Sequence, residues 1–285
     1  MGWLGGGLLA RQFDPGLEGG RKARPAIWPP PTEAAVALRS LRFLLSLLRK
    51  NWGGGGDGGG LHRGMHWRAV PIHFIDFEGS LAGGVVEYGV AVLLGGEVVE
   101  TATRLCRPAG AIRREDSAVH GIAAADVAGA APLSDDWERF AGWRQRGPLA
   151  AHFAGTENSL LKATWPYARQ SPDLSRPGQT TNDWGPWLDT GRLVPQLFRG
   201  IESARLEDLV TQFGLGAELA VAAERHCPPE RRRYHAALFD ALAAALLLRA
   251  VLARPDFEAA TLPWLLELSS LDPARRESLR QGELF

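Results

Sequence analysis

The sequence predicts an α/β fold, a mixed sheet with helices packed on both faces. Three observations lead there. β-rich runs come first, over residues 72–105; strand-like and helix-like segments then alternate as far as residue 252; and 45% of the 285 residues are hydrophobic, enough for a large buried core. At roughly 150 residues per domain the chain holds two domains at most, or one α/β domain with appendages. No internal repeat is visible.

Three regions are expected: a Gly/Pro-rich leader over 1–68, a folded domain over 69–255 and a tail over 256–285. In the leader, three prolines follow Trp28, and the run 53–60 is glycine except for Asp57. Such runs bury too little to fix a backbone. Between them, 33–50 has helical spacing, with Leu38, Leu41, Leu45 and Leu48 in one stripe and the arginines elsewhere on the wheel. It reads as a short docked helix or as a basic amphipathic one. The only methionines are Met1 and Met65, and regular patterning starts right after Met65. Translation from Met65 would leave 1–64 outside the protein; a native N-terminal peptide from upstream would exclude this.

From Pro71 the signals become dense. Residues 72–77 alternate as a strand. Residues 85–94 and 98–105 are β-rich runs joined by Gly95-Gly96-Glu97, a hairpin signal. A helix is expected over 134–146, with Ser134 as its N-cap and acids in its first turn. Residues 148–152 read as a short buried strand and 156–169 as a helix. A loop rich in Pro, Gly, Asn and Trp (171–188) leads to a polar-capped helix over 189–198. Ser203 is the expected cap of a helix over 206–213, which Gly214 ends in a left-handed stop. Residues 234–252 form a long Ala/Leu helix.

Composition narrows the function. Lys+Arg and Asp+Glu both number 32, so no net basic charge advertises nucleic acid. Residues 1–70 nevertheless carry ten basic and four acidic side chains (+6), leaving 22 and 28 in 71–285 (−6). Two cysteines, Cys106 and Cys227, exclude a disulfide framework and a four-cysteine zinc site, and suit a reducing cytosol. No segment reaches the ~18 uninterrupted apolar residues of a membrane span; Asp240 breaks the best one, 236–248. The N-terminus lacks the charged region of a secretory signal and the Ser or Thr at position 6 that myristoylation favours. A cytoplasmic protein with no membrane partner is expected.

Three acidic segments could carry chemistry. In Asp76-Phe-Glu78 the carboxylates lie two apart on a strand, so they share a face roughly 6.6 Å apart at the backbone, while Ile75 and Phe77 point into the core. Paired carboxylates on a rigid strand suit hard divalent cations, although an edge strand showing its solvated face would look the same. In His152-Phe-Ala-Gly-Thr-Glu157 a buried strand ends, a small-residue turn follows, and an acid enters the first turn of a helix. Ligand sites favour that end of a strand, and an acid there also offsets the helix dipole. In His235-Ala-Ala-Leu-Phe-Asp240, Asp240 interrupts an apolar helix face, which is costly unless the acid is paired or bound to metal. Five helical residues rotate by about 140°, so His235 and Asp240 converge only if His235 precedes the helix proper. Arg231, Arg232 and Arg233 just before them read as a solvated cluster or, beside a carboxylate site, as phosphate ligands.

Order adds to spacing. Asp76-Phe-Glu78 is followed by Val85-Val-Glu-Tyr-Gly-Val, then by His120-Gly-Ile and Asp126-Val-Ala. Next come the segment ending in Glu157 with Leu160-Leu161, Asp189-Thr-Gly-Arg-Leu, Leu206-Glu-Asp-Leu and His235-x4-Asp240. Over 71–252 this series resembles the DEDDh subgroup of 3′–5′ exonucleases, and by pattern the proofreading epsilon-type subunit of bacterial DNA polymerase III.

The resemblance implies an RNase H-like, five-stranded mixed sheet and a two-metal hydrolysis at DNA 3′ ends that releases 5′-mononucleotides in proofreading or repair. It assigns Asp76 to bridge two Mg²⁺ or Mn²⁺ ions about 3.5–4 Å apart, with Glu78 and Asp240 completing their shells. Glu157 would ligate directly or through water. His235 would take the proton of the attacking water, a task that suits histidine in general. Ser80, His152 and Arg233 are further candidates for contacts with the substrate. Two departures stand out: Glu157 occupies a position that is usually Asp, one methylene shorter, and Gly79-Ser80 stand where threonines are common.

The chain ends Arg280-Gln281-Gly-Glu-Leu284-Phe285, similar to the Gln-x-x-Leu-Phe peptides that dock bacterial replication proteins on the sliding clamp. Gln281, Leu284 and Phe285 would tether the enzyme near primer ends by effective concentration, with clamp and replicative polymerase as partners. Other readings remain at this point: an RNA exonuclease, since carboxylates meet phosphates rather than the 2′-hydroxyl; an inactive DEDD-fold interaction module; and an unrelated α/β hydrolase.

Overall fold

The computed structural model describes residues 65–176 and 178–270. The leader helix expected over 33–50 and the tail residues Gln281, Leu284 and Phe285 lie outside that range.

Three long antiparallel strands open the domain: β1 (Ile72–Ser80), β2 (Gly84–Leu94) and β3 (Glu97–Leu105). Gly95 and Gly96, both with positive φ, make the β2–β3 turn where the sequence placed it. Two short helices follow, α1 (Arg114–His120) and α2 (Ala124–Val127), then α3 (Trp137–Arg146). The three-residue β4 (Leu149–Ala151) leads into α4 (Gly155–Thr164), and β5 (Trp187–Asp189) into α5 (Thr190–Leu197). The remaining helices are α6 (Leu206–Gln212), α7 (Gly216–His226), α8 (Ala237–Leu252) and α9 (Leu262–Leu268). The main sheet runs β3-β2-β1-β4-β5, with β4 and β5 parallel to β1 and the β1–β2–β3 meander antiparallel. This is the expected five-stranded mixed sheet.

Each face of the sheet has its own core. Ile72 and Phe74 of β1 join Ala91 and Leu93 of β2 beneath α8. Ile75 and Phe77 face the other way, with Tyr88, Val90 and Val92, against Phe140 and Trp143 of α3 and Leu160 and Leu161 of α4. Helix α8 is buried around almost its whole circumference, as an all-apolar helix must be. It reaches the sheet because β2 carries glycine beneath it: a Cβ at Gly89 would overlap the backbone of Ala237 and Leu238.

Several boundaries differ from expectation, each for a local reason. The helix expected over 134–146 begins as a 3₁₀ turn (Leu133–Asp136), and Ser134 caps nothing in α3. Helix α4 stops at Thr164 rather than 169, because Pro166 disfavours helical backbone in the residue before it. Ser203 precedes α6, whose N-cap position is Arg205; its hydroxyl instead bonds Asp208 and accepts from the Arg205 amide at 3.3 Å. The loop expected over 171–188 runs at its end into β5, which takes in Asp189, and buried Arg144 braces the loop by donating to the carbonyls of Pro172 and Gly185 at 3.1 and 2.7 Å. The fold also continues past 255. Helix α9 buries Leu262, Leu265 and Leu266, and the Leu262 amide bonds the Met65 carbonyl at 2.9 Å, so 65–70 and 255–270 pack on the same core.

Candidate active site

The β1 face that places Ile72 and Phe74 under α8 continues, two residues at a time, to Asp76 and Glu78. Side chains on that face change from apolar to acidic where the first turn of α8 arrives, bringing Asp240. His235 lies two residues before the helix, with φ of 60°, and its amide donates to Asp240 Oδ2 at 2.9 Å. The sequence condition for convergence is met: donor atoms of Glu78, His235 and Asp240 lie within 4.8 Å of one another. Helix α4 brings Glu157, 6% exposed, into the same neighbourhood from β4.

Electrostatics tie Asp76 to the other three acids. Burial first, then the charges of Asp240, Glu78, Glu157 and Glu87, push its carboxyl well above the usual range. Glu78 is pushed up to about 8 by burial and by Asp240 and Glu87, against the pull of Arg231 and Arg233. Burial pushes Glu157 up to about 8 and Asp240 up to about 7. Crowded, desolvated carboxyls of this kind are poorly matched to one another without a cation. Two of their oxygens, Glu157 Oε2 and Asp240 Oδ1, are buried with no hydrogen-bond partner among the described residues. An all-oxygen donor set with an imidazole at its rim fits Mg²⁺ or Mn²⁺.

The other three candidates sit differently. Ser80 accepts from the Gly83 amide at 3.2 Å, closing the β1–β2 turn. His152 has both ring nitrogens engaged, Nδ1 with Thr190 Oγ1 at 3.0 Å and Nε2 with the Ala204 carbonyl at 2.7 Å; burial pushes its pKa down to about 4. In this conformation it ties the end of β4 to the first residue of α5 and to the Ala204 carbonyl. Arg233 donates to the His120 carbonyl at 3.0 Å and is close enough to Glu78 to draw its pKa down.

Sequence reasoning missed Glu87. It stands opposite Glu78 in the β1–β2 register, 3% exposed. Its carboxylate takes a two-pronged grip from Arg231, with Nε at 3.0 Å and Nη2 on the second oxygen, and accepts the Ala237 amide at 3.0 Å. Glu87 thereby caps α8 from another element. Arg231 also donates to the His120 carbonyl at 2.6 Å and the His235 carbonyl at 3.2 Å. One acid and one arginine thus fix the loop that presents His235 and the helix that presents Asp240. The available signal was an acid inside the otherwise apolar run Val85-Val-Glu-Tyr-Gly-Val, costly unless paired.

No family model and no curated protein matches the chain. Solved structures do share its fold. Exonuclease X, in complex with 5′-overhanging duplex DNA, aligns with a TM-score of 0.51 at 22% identity, over 68% of this chain and 99% of that one. Exonuclease I aligns with a TM-score of 0.51 at 14% identity, over 74% of this chain and 46% of that one; its apo form gives 0.50 at 13%. The chain thus spans nearly all of exonuclease X and about half of exonuclease I. The fold is the RNase H-like α/β fold of these exonucleases.

Proposed function

We propose that the chain is a metal-dependent 3′–5′ exonuclease that hydrolyses phosphodiester bonds at DNA 3′ ends to release 5′-mononucleotides, in proofreading or repair. The observation that carries this reading is the convergence of four acids and His235, from β1, α4 and the start of α8, at one end of the sheet. Asp76, Glu78, Glu157 and Asp240 would hold two divalent cations, Mg²⁺ or Mn²⁺. When bound, such ions stabilise negative charge on the attacking and leaving oxygens.

The chain's own groups do the rest. The exposed His235 imidazole takes a proton from the attacking water onto a ring nitrogen and passes it to solvent. Asp240 Oδ2 and Arg231, bonded to its amide and carbonyl, hold that residue in place. Arg233, its guanidinium donating to the His120 carbonyl, would neutralise a phosphate at the rim. The Gln281-x-x-Leu284-Phe285 ending supports a tether to a sliding clamp.

The test follows release of 5′-mononucleotides from 3′-labelled single strands, mismatched primers and RNA with Mg²⁺ or Mn²⁺. Wild-type protein is expected to act on the DNA strands and Asp76→Ala to be inactive. A wild type inactive with either metal would overturn the assignment, and activity on RNA alone would move the substrate.

A further inference from the structure

We propose that Phe153 is a stacking platform for a nucleobase upstream of the cleaved bond, an inference that rests on the exonuclease reading. Phe153 has φ of 62°, in the left-handed region that a bulky aromatic rarely adopts. The backbone demand has a visible cause. Asp189, fully buried at the start of α5, accepts the amides of Phe153 at 3.0 Å and Ala154 at 3.1 Å, folding the chain sharply from β4 into α4. Glycine or asparagine meets that demand with less strain. The turn therefore accounts for the dihedral but not for a phenyl ring.

Nor does packing account for it. The side chain is 44% exposed and belongs to neither core. The ring is held all the same. It lies so close over Gly191 that a Cβ there would come within 2.8–2.9 Å of three ring atoms, and the His152 ring meets it edge-on at 4.8 Å. His152 is itself locked by Thr190 and Ala204. The result is a rigid aromatic surface, open on one side, whose ordering cost is met by the fold.

Its location gives the ligand. The parallel register pairs Phe74 with Ala150, so two residues further on 152 runs level with Asp76. Phe153 thus leaves the sheet beside the acids, four residues before Glu157. A single strand whose 3′-terminal phosphodiester reaches those acids carries its preceding bases past the strand exits. Base–aromatic stacking is tolerant of sequence because every base offers a π face, as a non-specific exonuclease requires.

The experiment compares wild type, Phe153→Asn and Phe153→Trp on a thymidine 5′-monophosphate aryl ester, which has no upstream base. The same proteins are assayed on oligo-dT and on oligo-dT with single abasic sites near the 3′ end. Phe153→Asn keeps the turn and is expected to raise KM for oligo-dT roughly 5- to 150-fold, leaving ester hydrolysis unchanged and Phe153→Trp near wild type. One abasic position should erase the difference between wild type and Phe153→Asn. Equal losses on ester and oligonucleotide, or no loss on either, would overturn the inference while leaving the exonuclease reading intact. A wild type that cleaves neither substrate would overturn both.

Discussion

Asp240 answers two demands at once. One oxygen accepts the His235 amide and so shapes the loop; the other is buried without a hydrogen-bond partner among the described residues. His235 is the opposite case, exposed and, among the described residues, hydrogen-bonded through its backbone rather than its ring. His235→Ala should therefore cost about 10²- to 10⁴-fold in kcat while single-strand binding, read by fluorescence anisotropy, stays within a factor of two. Unchanged turnover would remove the imidazole from the mechanism. Asp76, Glu78, Glu157, His235 and Asp240 were singled out in the sequence because their segments, in that order, resemble the DEDDh motifs; taken alone, Asp76 and Glu78 read equally as a solvated strand face and Glu157 as an acid offsetting a helix dipole. Glu87 was not legible as part of the site. Its partners, Arg231 and Ala237, are 144 and 150 residues away, and no local spacing reports a cap supplied across that separation.

At the scale of elements, the site depends on how α8 is seated. Gly89 pairs with Asp76 in the β1–β2 register and lies under the first turn of α8. Gly89→Ala should push that turn off the sheet and carry Asp240 and Glu87's cap with it. Overpacking of this kind typically costs 1–3 kcal/mol, so urea unfolding should show a loss on that order. Activity should fall much further than the residual folded fraction explains. A variant with full activity would mean that the helix start is adaptable. The same region shows where propensity misleads. The sequence starts the helix at 234, yet α8 begins at Ala237, because the contacts of the His235 amide to Asp240 and of its carbonyl to Arg231 hold His235 at φ of 60°. Strand β5 and helix α7 were missed for different reasons. β5 is three residues long beside Pro186, and α7 opens at Gly216 with an alanine-rich run of weak polarity contrast. Long strands, the Gly95-Gly96 turn and the body of α8 carried stronger signals and fell where expected.

Across the whole molecule, crowded carboxyls make stability depend on pH and metal. Glu78 and Glu157 at about 8 and Asp240 at about 7 keep protons in the folded state that the unfolded chain releases near pH 4. Their contribution is complete below about pH 4 and is lost as pH rises through 7–8. Buried His73 and His152, pushed down to about 4, act in the opposite sense up to about pH 6.5, so the window from 6.5 to 8 reports mainly on the acids. Cation binding needs those carboxyls deprotonated, so its affinity rises over the same window. The proposed cation site shared by Asp76, Glu78, Glu157 and Asp240 is read from the thermal midpoint at pH 6.5 and pH 8, in chelator and in excess Mn²⁺. The midpoint is expected to fall with pH in chelator and to be restored by Mn²⁺ at pH 8, by on the order of 5–10 °C at a hundredfold excess over Kd, with the restoration lost in Asp76→Asn. Midpoints indifferent to Mn²⁺ at both pH values, or equally raised in Asp76→Asn, would contradict it.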